Sequence, residues 1–290
     1  MRPALYMPFT PDKLLPGTVS QDIVSFLAAL GLLASNWAIH RRIQRAWLLW
    51  VALLGYLFYA YALYSFDHIY NPLYLLYSAL TGLALYSLIF FFVWLDPDTV
   101  VRLDLAKTPR LAIAVYLLML VAMFVTVWLS LIIPGIQAQQ PPDGATIFVI
   151  DLAFVLPLLA IVAVMLIRHQ PMGALLAPTV LIKVATLGCS VLLGTLIAPF
   201  FSQSLDWGSV GVYAVMGLGS AALAIFVLMH VDLGEHADGN IRWMCVRSNG
   251  HMLNGRIEQR DLGHLQAAIS RKMQISHKHR AGLSVRTRLF

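Results

Sequence analysis

The sequence predicts an all-α integral membrane protein, a bundle of seven transmembrane helices with the N-terminus outside and the C-terminus in the cytoplasm. The chain of 290 residues is 59% hydrophobic and only 12% charged, whereas soluble domains are about 45 to 50% apolar and about 25% charged. Seven of its stretches are apolar over the roughly 20 residues that span a bilayer core of about 30 Å. Basic residues occur in alternate connections between these stretches.

The apolar stretches give the predicted helices in chain order. They lie near residues 19–39, 46–65, 72–95, 111–133, 146–167, 174–200 and 209–230. Residues 1–230 therefore form a predicted transmembrane domain, and residues 231–290 form a basic cytoplasmic tail. The proline-rich N-terminal segment lacks the compact apolar run of a secretory signal, so we expect the first helix to remain uncleaved.

The positions of Lys and Arg predict the orientation. Basic residues such as Arg41, Lys107 and Arg168 follow the first, third and fifth stretches, whereas the connections after the second, fourth and sixth contain none. Because short basic loops are retained in the cytoplasm, the N-terminus is predicted to lie outside.

The tail contains ten of the twenty Lys and Arg residues, in a chain whose formal charge is +6. A basic segment next to a membrane favours anionic lipid headgroups or an acidic partner and gives no reason to expect nucleic acid. A structural or signalling membrane protein that recruits a cytoplasmic partner through this tail is one alternative function.

Two ionisable residues, Asp151 and Lys183, interrupt the fifth and sixth apolar stretches. A charge at the centre of a spanning helix costs about 2.5 to 3.5 kcal/mol, so such residues usually face a protein interior or a wet cavity. Thr179, Lys183, Thr186 and Ser190 share one face of their helix. The helical rise places Ser190 at the depth of Asp151 and predicts a hydrogen-bonded chain from Asp151 through Ser190 or Thr186 to Lys183. Alternatively, Asp151 reaches headgroups, Lys183 snorkels, and the hydroxyl groups bond their own backbone.

The third helix offers further candidates in Tyr74, Tyr77 and Ser78. These residues could line a cavity that opens to the outside, or the tyrosines could form an interfacial aromatic belt. Together, helices five, six and three would enclose a buried polar site. The leading functional hypothesis is a non-enzymatic protein without a cofactor that binds or translocates a small solute or a proton at this site.

Three histidines, His40, His169 and His230, lie at the same predicted end of different helices. They could bind zinc in a metal-dependent membrane hydrolase. The sequence contains no HxxxH or HExxH spacing to support this alternative, and a histidine at the C-terminal end of a helix also complements the helix dipole.

Two segments, YNPLYLLYSALTGLALYSL and DLAFVLPLLAIVAVMLIRHQPMGALLAPTVLIKVATLG, resemble a family of bacterial multi-pass inner-membrane proteins of uncharacterised activity. The resemblance implies a location in the bacterial inner (plasma) membrane and implies no particular chemistry. A buried lysine among seven helices also invites comparison with retinal proteins. Their chromophore is attached to a lysine of the seventh helix, whereas Lys183 lies in the sixth.

Overall fold

The computed structural model describes residues 10, 12–41, 43, 45–67, 71–95 and 107–230. The secondary structure of the described residues is entirely helical. Seven of the helices are long and apolar enough to cross a membrane, which confirms the predicted all-α class and number of spans. The tail, residues 231–290, lies outside the described residues, so the predicted domain boundary and the tail's predicted partners stay predictions.

We number the spanning helices α1 to α7. Four are single α-helices: α1 Leu15–His40, α2 Ala46–Phe66, α3 Tyr74–Val93 and α4 Lys107–Ala138. Helix α5 consists of Ala145–Ile150, a π-helical turn Asp151–Val155 and Leu156–Ile167. Helix α6, Pro171–Ile197, continues into a 3₁₀ turn, Ala198–Phe201. Helix α7 consists of Trp207–Ala214, a second π-helical turn Val215–Gly219 and Ser220–His230.

The start of α1 and the connections after α2, α4 and α6 meet at one end of the bundle. Three contacts join them: Lys13 Nζ to Asp143 Oδ2 at 3.4 Å, Thr146 Oγ1 to Asp67 Oδ1 at 2.9 Å, and Gln203 Nε2 to the Asp12 carbonyl oxygen at 2.6 Å. We call this end the Asp206 end, after the residue that precedes α7. The connections after α2, α4 and α6 are the ones that contain no Lys or Arg.

The opposite half of the bundle is filled by apolar side chains. A core cluster joins α2, α4, α5, α6 and α7, and its large, fully buried members in this half are Leu48, Ile113, Leu117, Val162, Leu166, Leu181 and Val227. We call these seven residues the apolar plug. Large hydrophobic residues such as Leu75 and Phe154 are exposed on the outer surface of the bundle, as expected where helices face lipid.

Helix α6 lies at the centre of the fold and packs against α1, α2, α5 and α7. Glycines permit two of these approaches. A Cβ atom on Gly188 would lie 2.6 Å from the Cα atom of Gly217 in α7, and one on Gly194 would lie 3.1 Å from the Cα atom of Gly17 in α1. Small residues let helix backbones approach closely in a membrane, where packing rather than the hydrophobic effect holds helices together.

Candidate functional site

A cavity of about 480 Å³ extends from the Asp206 end into the bundle. Its wall includes Lys13, Asp67 and Asp206 at that end, and Tyr59 and Asp151 deeper in the bundle. Residues of α1, α2, α4, α5, α6 and α7 line it. The volume falls within the range of about 300 to 1,000 Å³ that is usual for small-molecule sites.

The carboxylate of Asp151 is the buried acid of this cavity, because the residue is only 6% exposed. Its Oδ1 accepts a hydrogen bond from the Tyr59 hydroxyl group at 2.9 Å, and its Oδ2 accepts one from Trp128 Nε1 at 3.1 Å. Hydrogen bonds to an ionised acceptor are stronger than neutral ones. Donors from α2 and α4 therefore hold the carboxylate of α5 in a defined orientation.

The irregular turn of α5 begins at Asp151 itself. The backbone N–H of Leu156 donates to the Asp151 carbonyl oxygen five residues earlier, and Pro157, which has no N–H to donate, follows directly. Single π-helical turns within α-helices are frequent at functional sites. Here the turn locally redirects the helix at the residue whose side chain reaches the cavity.

Lys183 of α6 also contacts Tyr59, at the aromatic ring and not at the hydroxyl group that reaches Asp151. Its Nζ atom is 4.1 Å from the centroid of the Tyr59 ring, is fully buried, and has no hydrogen-bond partner. Part of the residue remains exposed, so the burial is that of the ammonium group. The negative charge of the Asp151 carboxylate attracts the ammonium group of Lys183. A cation over an aromatic face gains about 2 kcal/mol when desolvated, and an opposite charge offsets part of the remaining burial cost.

The predicted link between Asp151 and Lys183 is therefore corrected. Thr186 Oγ1 donates to the Ile182 carbonyl oxygen at 2.6 Å, and Thr179 Oγ1 donates to the Leu175 carbonyl oxygen at 3.4 Å. Both threonines therefore form hydrogen bonds within their own helix. Ser190 lines the cavity beside the Tyr56 hydroxyl group. The connection is made instead by Tyr59, whose ring contacts Lys183 and whose hydroxyl group donates to Asp151.

Tyr74 and Tyr77, two of the predicted candidates of α3, contact α2, Ser78 is exposed, and none of the three is among the residues that line the cavity. The Tyr74 hydroxyl group donates to the Ser65 carbonyl oxygen at 3.3 Å, and Ser78 Oγ donates to the Tyr74 carbonyl oxygen at 3.2 Å. Tyr77 stacks on Tyr61, with ring centroids 6.0 Å apart. Helices α5 and α6 of the predicted set line the cavity, whereas α3 packs mainly against α2 and does not line it.

The candidate zinc ligands lie at helix ends, as the sequence predicts. His40 is the last residue of α1, and His169 follows α5 with a φ of 57°. The side chain of His230 lies outside the described part of the chain. Among the described residues, no group of three His, Cys, Asp or Glu side chains is arranged to hold a metal ion.

Sequence reasoning missed three polar groups of the bundle. Tyr59 belongs to a run of tyrosines that looks like an interfacial belt, and Trp128 has no polar neighbour in sequence. Asp22, within α1, accepts a hydrogen bond from the Tyr64 hydroxyl group at 2.8 Å. A carboxylate seven residues into a spanning helix is the signal that could have identified Asp22, by the same reasoning that identified Asp151.

The fold and the site are those of a multi-pass membrane protein whose bundle contains a cavity with a buried carboxylate. Comparisons with models of protein families, with curated proteins and with solved structures found no match to this chain. The resemblance to bacterial inner-membrane proteins therefore stays a prediction.

Proposed function

We propose that this protein binds or translocates a small solute or a proton through the cavity that reaches Asp151. The proposed location is the bacterial inner membrane, with the Asp206 end outside. The observation that supports the proposal most directly is a cavity of about 480 Å³ that includes a buried, hydrogen-bonded carboxylate with an unpartnered ammonium group nearby. Ionisable groups inside a membrane are costly, and they mark ion and substrate pathways.

The positions of the cavity and the apolar plug agree with a carrier whose site is open to one side of the membrane and closed to the other. The cavity includes the residues of the Asp206 end, whereas the apolar plug fills the opposite half. A carrier needs one side open and the other closed, because a continuous opening would act as a channel. In this proposal Asp151 is the carboxylate that faces the ion or solute, and Lys183 is its electrostatic partner.

Solvent access to the cavity tests the site. Val191→Cys, in a chain that also contains Cys189→Ala and Cys245→Ala, should react in membranes with an impermeant thiol reagent because Val191 lines the cavity and is only half-buried. Leu196→Cys is the matched control on the same helix, since Leu196 is 45% exposed on the bundle surface and would face lipid. Reaction of Val191→Cys no faster than that of Leu196→Cys would contradict the proposal.

Flux tests the function. If the translocated species is a proton, proteoliposomes with an entrapped pH-sensitive dye show proton movement under an imposed potential that exceeds that of empty vesicles. Asp151→Asn and Lys183→Met should each reduce it to the background while the protein still inserts. Asp143→Asn, an exposed acid outside the cavity wall, should keep the wild-type rate. Wild-type flux in both Asp151→Asn and Lys183→Met would refute the assigned roles.

A further inference from the structure

We propose that the cavity selects an organic ammonium ion and that Lys183 competes with this ion for the carboxylate of Asp151. The inference rests on the proposed function, because it assigns a ligand class to the same cavity. It follows from the charges of the wall, the aromatic side chains around them, and the way the bundle already holds an alkylammonium group of its own.

The charges of the described wall favour a cation. Its acidic and basic side chains with a formal charge at pH 7 are Lys13 and the carboxylates of Asp67, Asp151 and Asp206. Lys13 is 83% exposed and forms an ion pair with Asp143, so solvent and its partner screen its charge. Asp151 is the buried member of the set, and a charge in a low-dielectric cleft acts on a ligand more strongly than an exposed charge does. An anionic ligand would approach this carboxylate at a cost.

The uncharged part of the wall favours an organic cation over a bare metal ion. Five aromatic side chains line the cavity, namely Tyr59, Tyr64, Phe124, Trp128 and Tyr213. Aromatic faces attract ammonium groups, and they also pack against the alkyl parts of such ions. A bare alkali-metal ion would need several oxygen ligands, whereas both oxygens of Asp151 already accept hydrogen bonds from Tyr59 and Trp128.

Lys183 shows how the bundle stabilises an alkylammonium group without hydrogen bonds. Its Nζ atom has the Tyr59 ring at 4.1 Å and the Asp151 charge as its electrostatic partner. Tyr59 and Asp151 also belong to the cavity wall, so an ammonium ligand would use the same two groups. One carboxylate neutralises one cation, so the ligand and Lys183 compete for Asp151. This competition also gives Lys183 a role in flux, because its charge weakens the hold on a bound cation and assists release.

Calorimetric titration of the purified full-length protein tests the ligand class with three compounds of one shape. The probes are choline, its neutral isostere 3,3-dimethylbutan-1-ol, and the anion 3,3-dimethylbutanoate. We expect choline to bind, and each of the other two to bind at least about tenfold more weakly. The variants should have opposite effects: Asp151→Asn weakens choline binding by about tenfold or more, and Lys183→Met strengthens it several-fold.

Matched variants control for general effects of charge. Asp143→Asn removes an exposed acid at the Asp206 end, and Arg168→Met removes a cation beyond the end of α5, so both should leave choline affinity within about twofold of the wild type. Lys183→Gln provides a second lysine variant should Lys183→Met fail to yield folded protein.

Each other pattern overturns the inference. If the anion binds, with Lys183→Met weakening and Asp151→Asn strengthening its affinity, the cavity takes anions. Equal binding of the neutral isostere shows that the charge of Asp151 does not select the ligand. If none of the three compounds binds although Val191→Cys reacts from water, the ammonium class is wrong while the cavity remains a solvent-accessible site. An unreactive Val191→Cys instead refutes the proposed function itself.

Discussion

Tyr59 is the residue on which the geometry of the site depends, because it contacts both charged groups with different parts of one side chain. Its hydroxyl group donates a hydrogen bond to Asp151, and one face of its ring contacts the ammonium group of Lys183. The side chain is 4% exposed, so neither contact is replaced readily by bulk water. Positioning of the carboxylate and stabilisation of the cation can therefore be separated by mutation.

Tyr59→Phe should remove the hydrogen bond that positions the carboxylate and keep the ring that stabilises the cation. The loss leaves one oxygen of a buried carboxylate without its protein donor, which costs about 1 to 3 kcal/mol. We expect a lower midpoint of thermal unfolding in detergent and reduced flux. Tyr86→Phe is the control, because Tyr86 is 62% exposed on the bundle surface. An unfolding midpoint equal to that of the control would show that the Tyr59 hydroxyl group does not support the site.

The charged residues of the site could be predicted from the sequence, whereas their partners could not. Asp151 and Lys183 stand out because ionisable side chains are rare within apolar runs. The composition of a spanning helix is the same whether its tyrosine or tryptophan contacts lipid or donates a hydrogen bond to a buried acid. Tyr59 and Trp128 are distant from Asp151 in sequence, so only the packing of α2 and α4 against α5 brings them together.

At the scale of the elements, α6 and α7 approach each other closely at Gly188 and Gly217. A Cβ atom on Gly188 would lie 2.6 Å from a backbone atom of Gly217, which cannot rotate away as a side chain does. The π-helical turn of α7 includes Gly217, and the Tyr116 hydroxyl group of α4 lies 3.3 Å from the carbonyl oxygens of Val215 and Met216 in the same turn. Side-chain hydroxyl groups of this kind satisfy carbonyl oxygens in irregular turns.

Gly188→Ala should therefore destabilise the bundle by about 1 to 3 kcal/mol, the usual cost of overpacking. The measurement is the free energy of unfolding, or the unfolding midpoint, in detergent. Gly82→Ala is the matched control in another helix, because a Cβ atom there would meet no atom within 4 Å. Equal destabilisation by the two substitutions would show that helix propensity, and not the contact with Gly217, sets the effect.

The N-terminus of α7 gives a prediction about pH. Hydrogen bonds from the Ser209 hydroxyl group and from the backbone N–H groups of Gly208 and Ser209 hold the pKa of Asp206 below its ordinary value. An acid with a lowered pKa in the folded state stabilises the protein above its unfolded pKa of about 3.9, and this stabilisation disappears as pH falls through the folded pKa. Wild type and Asp206→Asn should therefore differ in unfolding midpoint at neutral pH and converge in acid. A difference that does not change with pH would contradict this assignment.

The existence of each helix followed from hydropathy, and the predicted ranges agree with the structure to within several residues. The two π-helical turns could not be predicted from hydropathy, because one extra residue in a turn leaves the apolar composition of a span unchanged. Pro157 indicates a break in α5, but α7 has no proline in the described turn. Hydropathy likewise does not show which helices are neighbours, and this is why α3 was expected at the site.

At the scale of the whole molecule, the cavity begins at the Asp206 end, and the buried residues of the apolar plug lie in the opposite half of the bundle. The proposed orientation places the Asp206 end toward the outside. Ser204→Cys, at the Asp206 end, should then react with an impermeant thiol reagent in intact cells, and Ile43→Cys, between α1 and α2, should react only after permeabilisation. Both variants contain Cys189→Ala and Cys245→Ala. The reverse pattern would show that the cavity opens to the cytoplasm.

The two glycine contacts of α6 leave no room for a side chain between this helix and α1 or α7. Close backbone approach at Gly194 and Gly188 packs α1 and α7 directly on α6, the helix that contains Lys183. Helices α4 and α5 pack on each other and contain Trp128 and Asp151, and α5 also packs on α6. Asp151 and Lys183 therefore belong to different packed groups of helices, so any shift of α4 and α5 relative to α6 changes the distance between the carboxylate and the ammonium group.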